Sequence, residues 1–291
     1  MCASRFNIGV ASLNINREAA LCANDLVTSL LSLSSTKAAE TVVCLQDCSS
    51  WPHLLRLHDS RFIIFSGEEG CRVRTIMHFS RSRRVTSVVS GVYFLSILFS
   101  DMVAVHNMYL PDTGIDARSR SRGDSAFFSA IQQVESCALG FRSKGARFQI
   151  FCGDCNIHLN RDDVVAGPAA SARIPDAKNT ERMNALRSLA VNFGVRSDLT
   201  WSQCDACEVT TRWPWVWDKA HTQIDHVFVP ACATSVTRVL NSASFGSTDH
   251  FPVLSAISLP VLSRPLDPRV PHQRPNPLPF SLPSPSSVVL A

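Results

Sequence analysis

The stretch Arg147-Phe148-Gln149-Ile150-Phe151-Cys152-Gly153-Asp154-Cys155-Asn156 decides how the rest of the chain reads. An apolar run ends at a glycine and then presents an aspartate and an asparagine two residues apart, which in an extended chain puts both side chains on one face. A buried strand that ends this way delivers polar groups to a site. Gly153 lets backbone, ligand or metal come close, and Asp154 and Asn156 offer hard oxygen and amide groups suited to magnesium, water or phosphate. The same residues also fit an Asx turn that merely closes a strand, so other stretches must decide.

Composition narrows the field. At 291 residues, 45% hydrophobic and 18% charged, the chain forms one large domain or two small ones and is too apolar for general disorder. No apolar run approaches the ~18 residues of a membrane span, and Arg5 and Asn7 stand where a signal peptide would be apolar. The expectation is an intracellular protein in a reducing compartment, the nucleus included. The eleven cysteines fit this, since Cys44, Cys137 and Cys152 fall inside apolar runs and read as buried thiols. A net charge of +4 leans weakly toward a polyanionic partner.

Upstream of the central stretch, Phe6 to Asn14 alternates as a strand that ends at an asparagine, and a helical stripe runs from Arg17 to Leu33. Thr41 to Leu45 is a second strand, ending in Gln46 and Asp47. Short β-type runs come next at 61–65, 72–79, 86–89, 93–99 and 102–109, spaced as an antiparallel meander. The last of them stops at Pro111, which places Tyr109 at a sheet rim. Arginines 118, 120 and 122 precede a helix with the stripe Phe127, Ile131, Val134, Ala138 and Phe141; they read as a solvated loop or as the flank of a nucleic-acid groove. Downstream, a helix runs from about Glu181 to Phe193 and stops at Gly194. Strands at 222–229 and 236–240 and the segment Ser247 to Leu254 complete a domain of residues 1–259. Residues 260–291 hold nine spaced prolines and no apolar period, which predicts a disordered or polyproline tail able to dock partner domains.

Carboxylates, amides and a histidine thus fall repeatedly at the ends of apolar runs: Asn14, Gln46-Asp47, Tyr109, Asp154-x-Asn156, Asp225-His226 and Thr248-Asp249-His250. This ordered set, over residues 6–259, resembles the endonuclease/exonuclease/phosphatase superfamily. Leu45-Gln46-Asp47 stands where the family usually has Leu-Gln-Glu; Gly153-Asp154-Cys155-Asn156 matches Gly-Asp-x-Asn, and Thr248-Asp249-His250-Phe251-Pro252 matches Ser-Asp-His-x-Pro. Asn107 to Pro111 and Ile224 to Phe228 look most like the endonuclease domains of non-LTR retrotransposons. The resemblance implies an α+β fold, a four-layered α/β/β/α sandwich of two mostly antiparallel sheets flanked by helices. It also implies a Mg²⁺-dependent hydrolase, with Mn²⁺ able to substitute, that nicks DNA by water attack on a phosphodiester.

Residue roles follow from the same resemblance. Asn14, Asp47 and Asp249 would hold the metal; Asp154 would orient or deprotonate the water and Asn156 would fix that geometry. His250 paired with Asp225 would contact phosphate or act as acid/base, and Tyr109 would stabilise the phosphoryl or leaving group. Asp47 is one methylene shorter than the family's glutamate, which puts its reach to a metal in question. His106, His158 and His226 are left out of the catalytic set, His226 as a satisfied edge residue. Three other readings stay open: a phosphatase or phospholipid phosphodiesterase of the same fold, a degenerate nucleic-acid-binding scaffold, and a zinc module built on Cys152-x-x-Cys155 and Cys204-x-x-Cys207.

Overall fold

The structure is a computed structural model that describes residues 5–16, 23–33, 37–52, 55–112, 117–157, 159, 164–166, 177–198, 221–240 and 248–261. The chain divides into two units, Met1–Pro260 and Val261–Ala291, and the sheets and helices described belong to the first. The expected proline-rich tail lies outside the described residues, apart from Pro260 and Val261.

Two six-stranded sheets form the body. The first has the order β13 (Thr234–Val239), β14 (Val253–Pro260), β1 (Arg5–Asn14), β2 (Thr41–Gln46), β4 (Arg74–His78) and β3 (Phe62–Ser66). The second has the order β10 (Val195–Ser197), β12 (Asp225–Pro230), β8 (Phe148–Asp154), β7 (Val103–Tyr109), β6 (Phe94–Phe99) and β5 (Val85–Gly91). Each sheet is antiparallel except for one parallel pair, β1 with β2 and β7 with β8. A separate ribbon pairs β9 (Val164–Ala166) with β11 (His221–Thr222).

Period-two alternation distributes the apolar side chains among three layers of core. Between the sheets, Ile8, Val10, Val42 and Cys44 meet Ile97, Val105, Ile150 and Cys152. On the outer face of the first sheet, Leu13, Val43 and Leu45 receive Leu26, Val27 and Leu30 of helix α1 (Ala23–Leu33). On the outer face of the second sheet, Phe151 and Phe228 receive Phe127, Ile131 and Val134 of α3 (Ala117–Ser143) and Leu186 and Leu189 of α4 (Ala177–Phe193); the short helix α2 (Phe79–Ser82) caps the end of β4. These are the four layers expected from the sequence. No helix among the described residues is long and apolar enough to cross a membrane.

Buried polar groups rivet the two sheets together. Gln46 Nε2 donates to Asn107 Oδ1 at 2.7 Å, and Asn107 Nδ2 donates to the carbonyl of Arg74 at 2.9 Å, so an amide pair satisfies itself across the sandwich instead of reaching into a site. Three details depart from the sequence reading. Arginines 118, 120 and 122, expected in a loop ahead of the helix, lie within the first turns of α3. The expected strand at 222–229 is split into β11 and β12, with Gln223 and Ile224 between them. His226 sits in a strand flanked on both sides rather than at an edge, and it is satisfied, as expected, by the carbonyl of Ile157 at 3.0 Å.

Candidate active site

Strand register brings the polar ends together. In the parallel β7–β8 pair Tyr109 lies opposite Asp154, and the antiparallel β12 begins with Asp225 opposite the same Asp154. In the other sheet Asn14 ends β1 opposite Gln46, so Asp47 comes next at the same end. The backbone at these ends is held in the left-handed region at Asn16 (φ 46°), Asp47 (φ 53°) and Asn156 (φ 49°), residue types that tolerate it best among those with a Cβ. Gly153 (φ 140°) has no substitute: a Cβ there would lie 1.9 Å from the carbonyl oxygen of Met108.

Asp154 is the hub. Asn14 Nδ2 donates to its Oδ2 at 2.7 Å, joining the two sheets, and Asn156 donates its backbone N–H to Oδ1 at 2.9 Å and its Nδ2 to Oδ2 at 3.2 Å. The Asn156 amide also donates to the carbonyl of Leu110 at 2.8 Å, which fixes it against the Tyr109 strand end. Burial, and then the negative charge of Asp225, raises Asp154 above the usual carboxylate range, against the pull of His250 and Asn14.

His250 reaches the hub from the other side. Its Nδ1 bonds Asp225 Oδ2 at 2.8 Å, and because a carboxylate only accepts, that nitrogen carries the proton. Thr248 Oγ1 donates to the carbonyl of Asn14 at 2.7 Å and accepts from the His250 N–H at 3.2 Å, which pins the Thr248-Asp249-His250 turn onto the end of β1. Asp249 Oδ1 stands 3.7 Å from His250 Nε2. Burial works against a charged imidazole here, but Asp225, Asp154 and Asp249 outweigh it and lift His250 to about 9. Asp154, Asp225 and His250 each offer a ligand atom within 4.8 Å of the others, a set able to hold a metal ion.

Tyr109 borders this cluster, raised above its ordinary value by burial and then by Asp154, with Arg72 opposing. Arg72 was not singled out in the sequence, where it precedes β4 in Cys71-Arg72-Val73-Arg74 and reads as a charged strand start. Its guanidinium donates to Asp47 Oδ1 and lies 4.4 Å over the Tyr109 ring. Beside Tyr109, Tyr93 packs at 6.4 Å and lines a cavity of about 370 Å³ with Arg122, Ser125, Ser129 and Gln133.

All eight site residues expected from the sequence therefore sit at the same end of the two sheets. Hydrogen bonds gather Asn14, Asp154 and Asn156 into one group and Asp225 with His250 into another, Thr248 links the two, Asp249 lies beside them, and Asp47 and Tyr109 are joined through Arg72. His106 stays apart, bonded to Ser96 and Gln149. Cys152 and Cys155 are buried free thiols, and Cys204, Cys207 and His158 lie outside the described residues.

Two six-stranded sheets packed face to face, with helices outside and polar strand ends gathered at one rim, make the endonuclease/exonuclease/phosphatase fold. Solved structures that share it include the AP endonuclease LMAP of Leishmania major (TM-score 0.62, 14% identity, covering 87% of this chain and 88% of that one). Another is the 3'-5' exonuclease NExo of Neisseria meningitidis (TM-score 0.61, 17% identity, covering 85% and 98%). A third is a variant of a Neisseria NExo, described as a 3' phosphatase and bound to a product DNA hairpin (TM-score 0.62, 16% identity, covering 85% and 98%). No protein-family model and no curated protein matches the sequence.

Proposed function

We propose that the chain is a phosphodiester hydrolase that nicks DNA by attack of water on the phosphodiester. The observation that carries this reading is the convergence at one rim of a carboxylate held by two asparagines, a histidine held by a carboxylate, and a phenol beside a guanidinium. The structural neighbours, an AP endonuclease, a 3'-5' exonuclease and a 3' phosphatase bound to a product DNA hairpin, support nucleic acid as the substrate class.

Each group has a task in such a reaction. Asp154, its orientation set by Asn14 and Asn156, aligns the attacking water and takes its proton. His250, kept in one tautomer by Asp225, turns Nε2 toward a phosphoryl oxygen, and the Tyr109 hydroxyl donates to the departing oxygen. The donor chemistry at this rim fits a hard divalent cation: carboxylates and amide oxygens outnumber the positive groups, and no soft-ligand cluster is found among the described residues. The carboxylates of Asp154, Asp225 and Asp249, with the Asn14 amide beside them, would hold Mg²⁺ or Mn²⁺. When bound, such an ion polarises the phosphoryl group and lowers the pKa of water.

A substrate panel tests the reading: supercoiled plasmid, abasic duplex, inositol phosphates and sphingomyelin, each with Mg²⁺, with Mn²⁺ and with excess chelator. Plasmid nicking that disappears with chelator and returns with either ion is the expected result. Hydrolysis of the inositol phosphates or the lipid alone would overturn the DNA assignment, and undiminished nicking in chelator would overturn metal dependence.

A further inference from the structure

Arg72 is held at the site by both its backbone and its side chain. Its N–H donates to the carbonyl of Val92 at 2.8 Å, and its own carbonyl accepts from the N–H of Cys48 at 2.8 Å, directly after Asp47. The side chain is 22% exposed and that of Asp47 7%, so the pair is largely withdrawn from water, and Arg72 Nε is buried with its donor unused. That guanidinium bonds Asp47, covers the Tyr109 ring at 4.4 Å and reaches the Tyr109 hydroxyl at 3.4 Å. A planar fork has donors for several acceptors at once, and a stacked, ion-paired arginine loses little freedom when a further anion arrives.

We infer that Arg72 is a substrate-binding residue of this site, a fixed cation that takes a phosphate oxygen beside Tyr109, and that Asp47 serves as its counter-ion. This rests on the phosphodiesterase reading above and deepens it. It reassigns Asp47, which the sequence resemblance placed among the metal ligands. The shorter aspartate in place of glutamate suits the new role, because its carboxylate ends at the guanidinium of Arg72.

The test has two arms that read separately. In chelator, binding of duplex DNA is measured at several salt concentrations for wild type, Arg72→Gln and Arg72→Lys. One lost phosphate contact predicts about tenfold weaker binding for Arg72→Gln and a log–log salt slope smaller by about one, with Arg72→Lys keeping the slope. In the second arm, Mn²⁺ binding to wild type and Asp47→Asn is measured by calorimetry without substrate. Affinities within about twofold support the counter-ion role, whereas a loss on the order of tenfold or more would make Asp47 a metal ligand and overturn it. Wild-type affinity and slope in Arg72→Gln would overturn the phosphate contact while leaving the hydrolase reading intact if the wild type still nicks plasmid. Failure of the wild type to nick would sink the hydrolase reading instead, and the Mn²⁺ arm would still decide the role of Asp47. Far-ultraviolet circular dichroism confirms folding, and Arg72→Lys supplies the comparison should Arg72→Gln not fold.

Discussion

Asp154 accepts from donors of both sheets, so a substitution there is read for activity with folding checked alongside. In the proposed reaction, Asp154→Asn removes the charge that would align water, and His250→Ala removes the group that would face the phosphate. Each is expected to lower turnover by roughly 10² to 10⁴-fold with unchanged circular dichroism. Near-wild-type turnover in a folded variant would cancel the role assigned to that residue. Gly153→Ala is a different experiment, because the added Cβ would meet Met108 carbonyl oxygen at 1.9 Å and push β7 and β8 apart between Tyr109 and Asp154. A loss of at least ~2 kcal/mol in denaturant stability is expected, together with activity; an unchanged midpoint would show that the strands yield at no cost. At this scale the sequence was informative wherever a polar residue ended an apolar run, as at Asn14, Asp154 and His250. Arg72 escaped because a cation ahead of a strand is the ordinary way to start one, and only the fold shows that Asp47 and Tyr109 flank it.

Elements were legible where periodicity was long. The stripe from Phe127 to Phe141 became α3, and the helix ending at Gly194 became α4, with the glycine in the left-handed conformation (φ 62°) that closes helices. The pairing order was not legible, since sheet neighbours such as β14 with β1 depend on contacts far apart in sequence. Packing between elements carries its own prediction. His106 on β7 accepts from Ser96 of β6 and donates to Gln149 of β8, whose amide is oriented by the Ala138 carbonyl of α3; the ring also stacks 4.5 Å from Phe151. Burial pushes His106 down from 6.5 to about 4, although the Gln149 bond opposes this. The folded state therefore holds it neutral while the unfolded chain binds a proton. The associated stability is complete above pH 6.5 and falls as pH drops toward 4, by up to about 3 kcal/mol. Urea unfolding at pH 7 and pH 4.5 should show this extra loss in wild type and not in His106→Gln; equal losses in the two would refute it. Phe151→Ala, on the opposite face of β8 from the inter-sheet core, should cost about 3 to 5 kcal/mol by opening a cavity under α3 and α4.

Across the whole molecule, the site is assembled from segments that meet only after the sandwich has formed: β1, the turn after β2, the ends of β7 and β8, the start of β12 and the turn before β14. Such long-range pairing predicts slow folding for the size of the chain. It also explains why single motifs were weak signals in the sequence while their order was strong: the order traces one rim of the fold. A chain cut after residue 240 lacks β14, so β1 and β13 lose the strand that joins them within the first sheet. That fragment should show neither a cooperative melt nor nicking, and a sharp melt from it would mean that the second sheet folds alone.

The place of β14 also sets a clock. It inserts between β13 and β1, the earliest described strand, and the turn just ahead of it brings Thr248, Asp249 and His250 onto the end of β1. During synthesis every other described strand leaves the ribosome before this one. Until it docks, His250 has not met Asp225, and the candidate site of the growing chain stays unfinished.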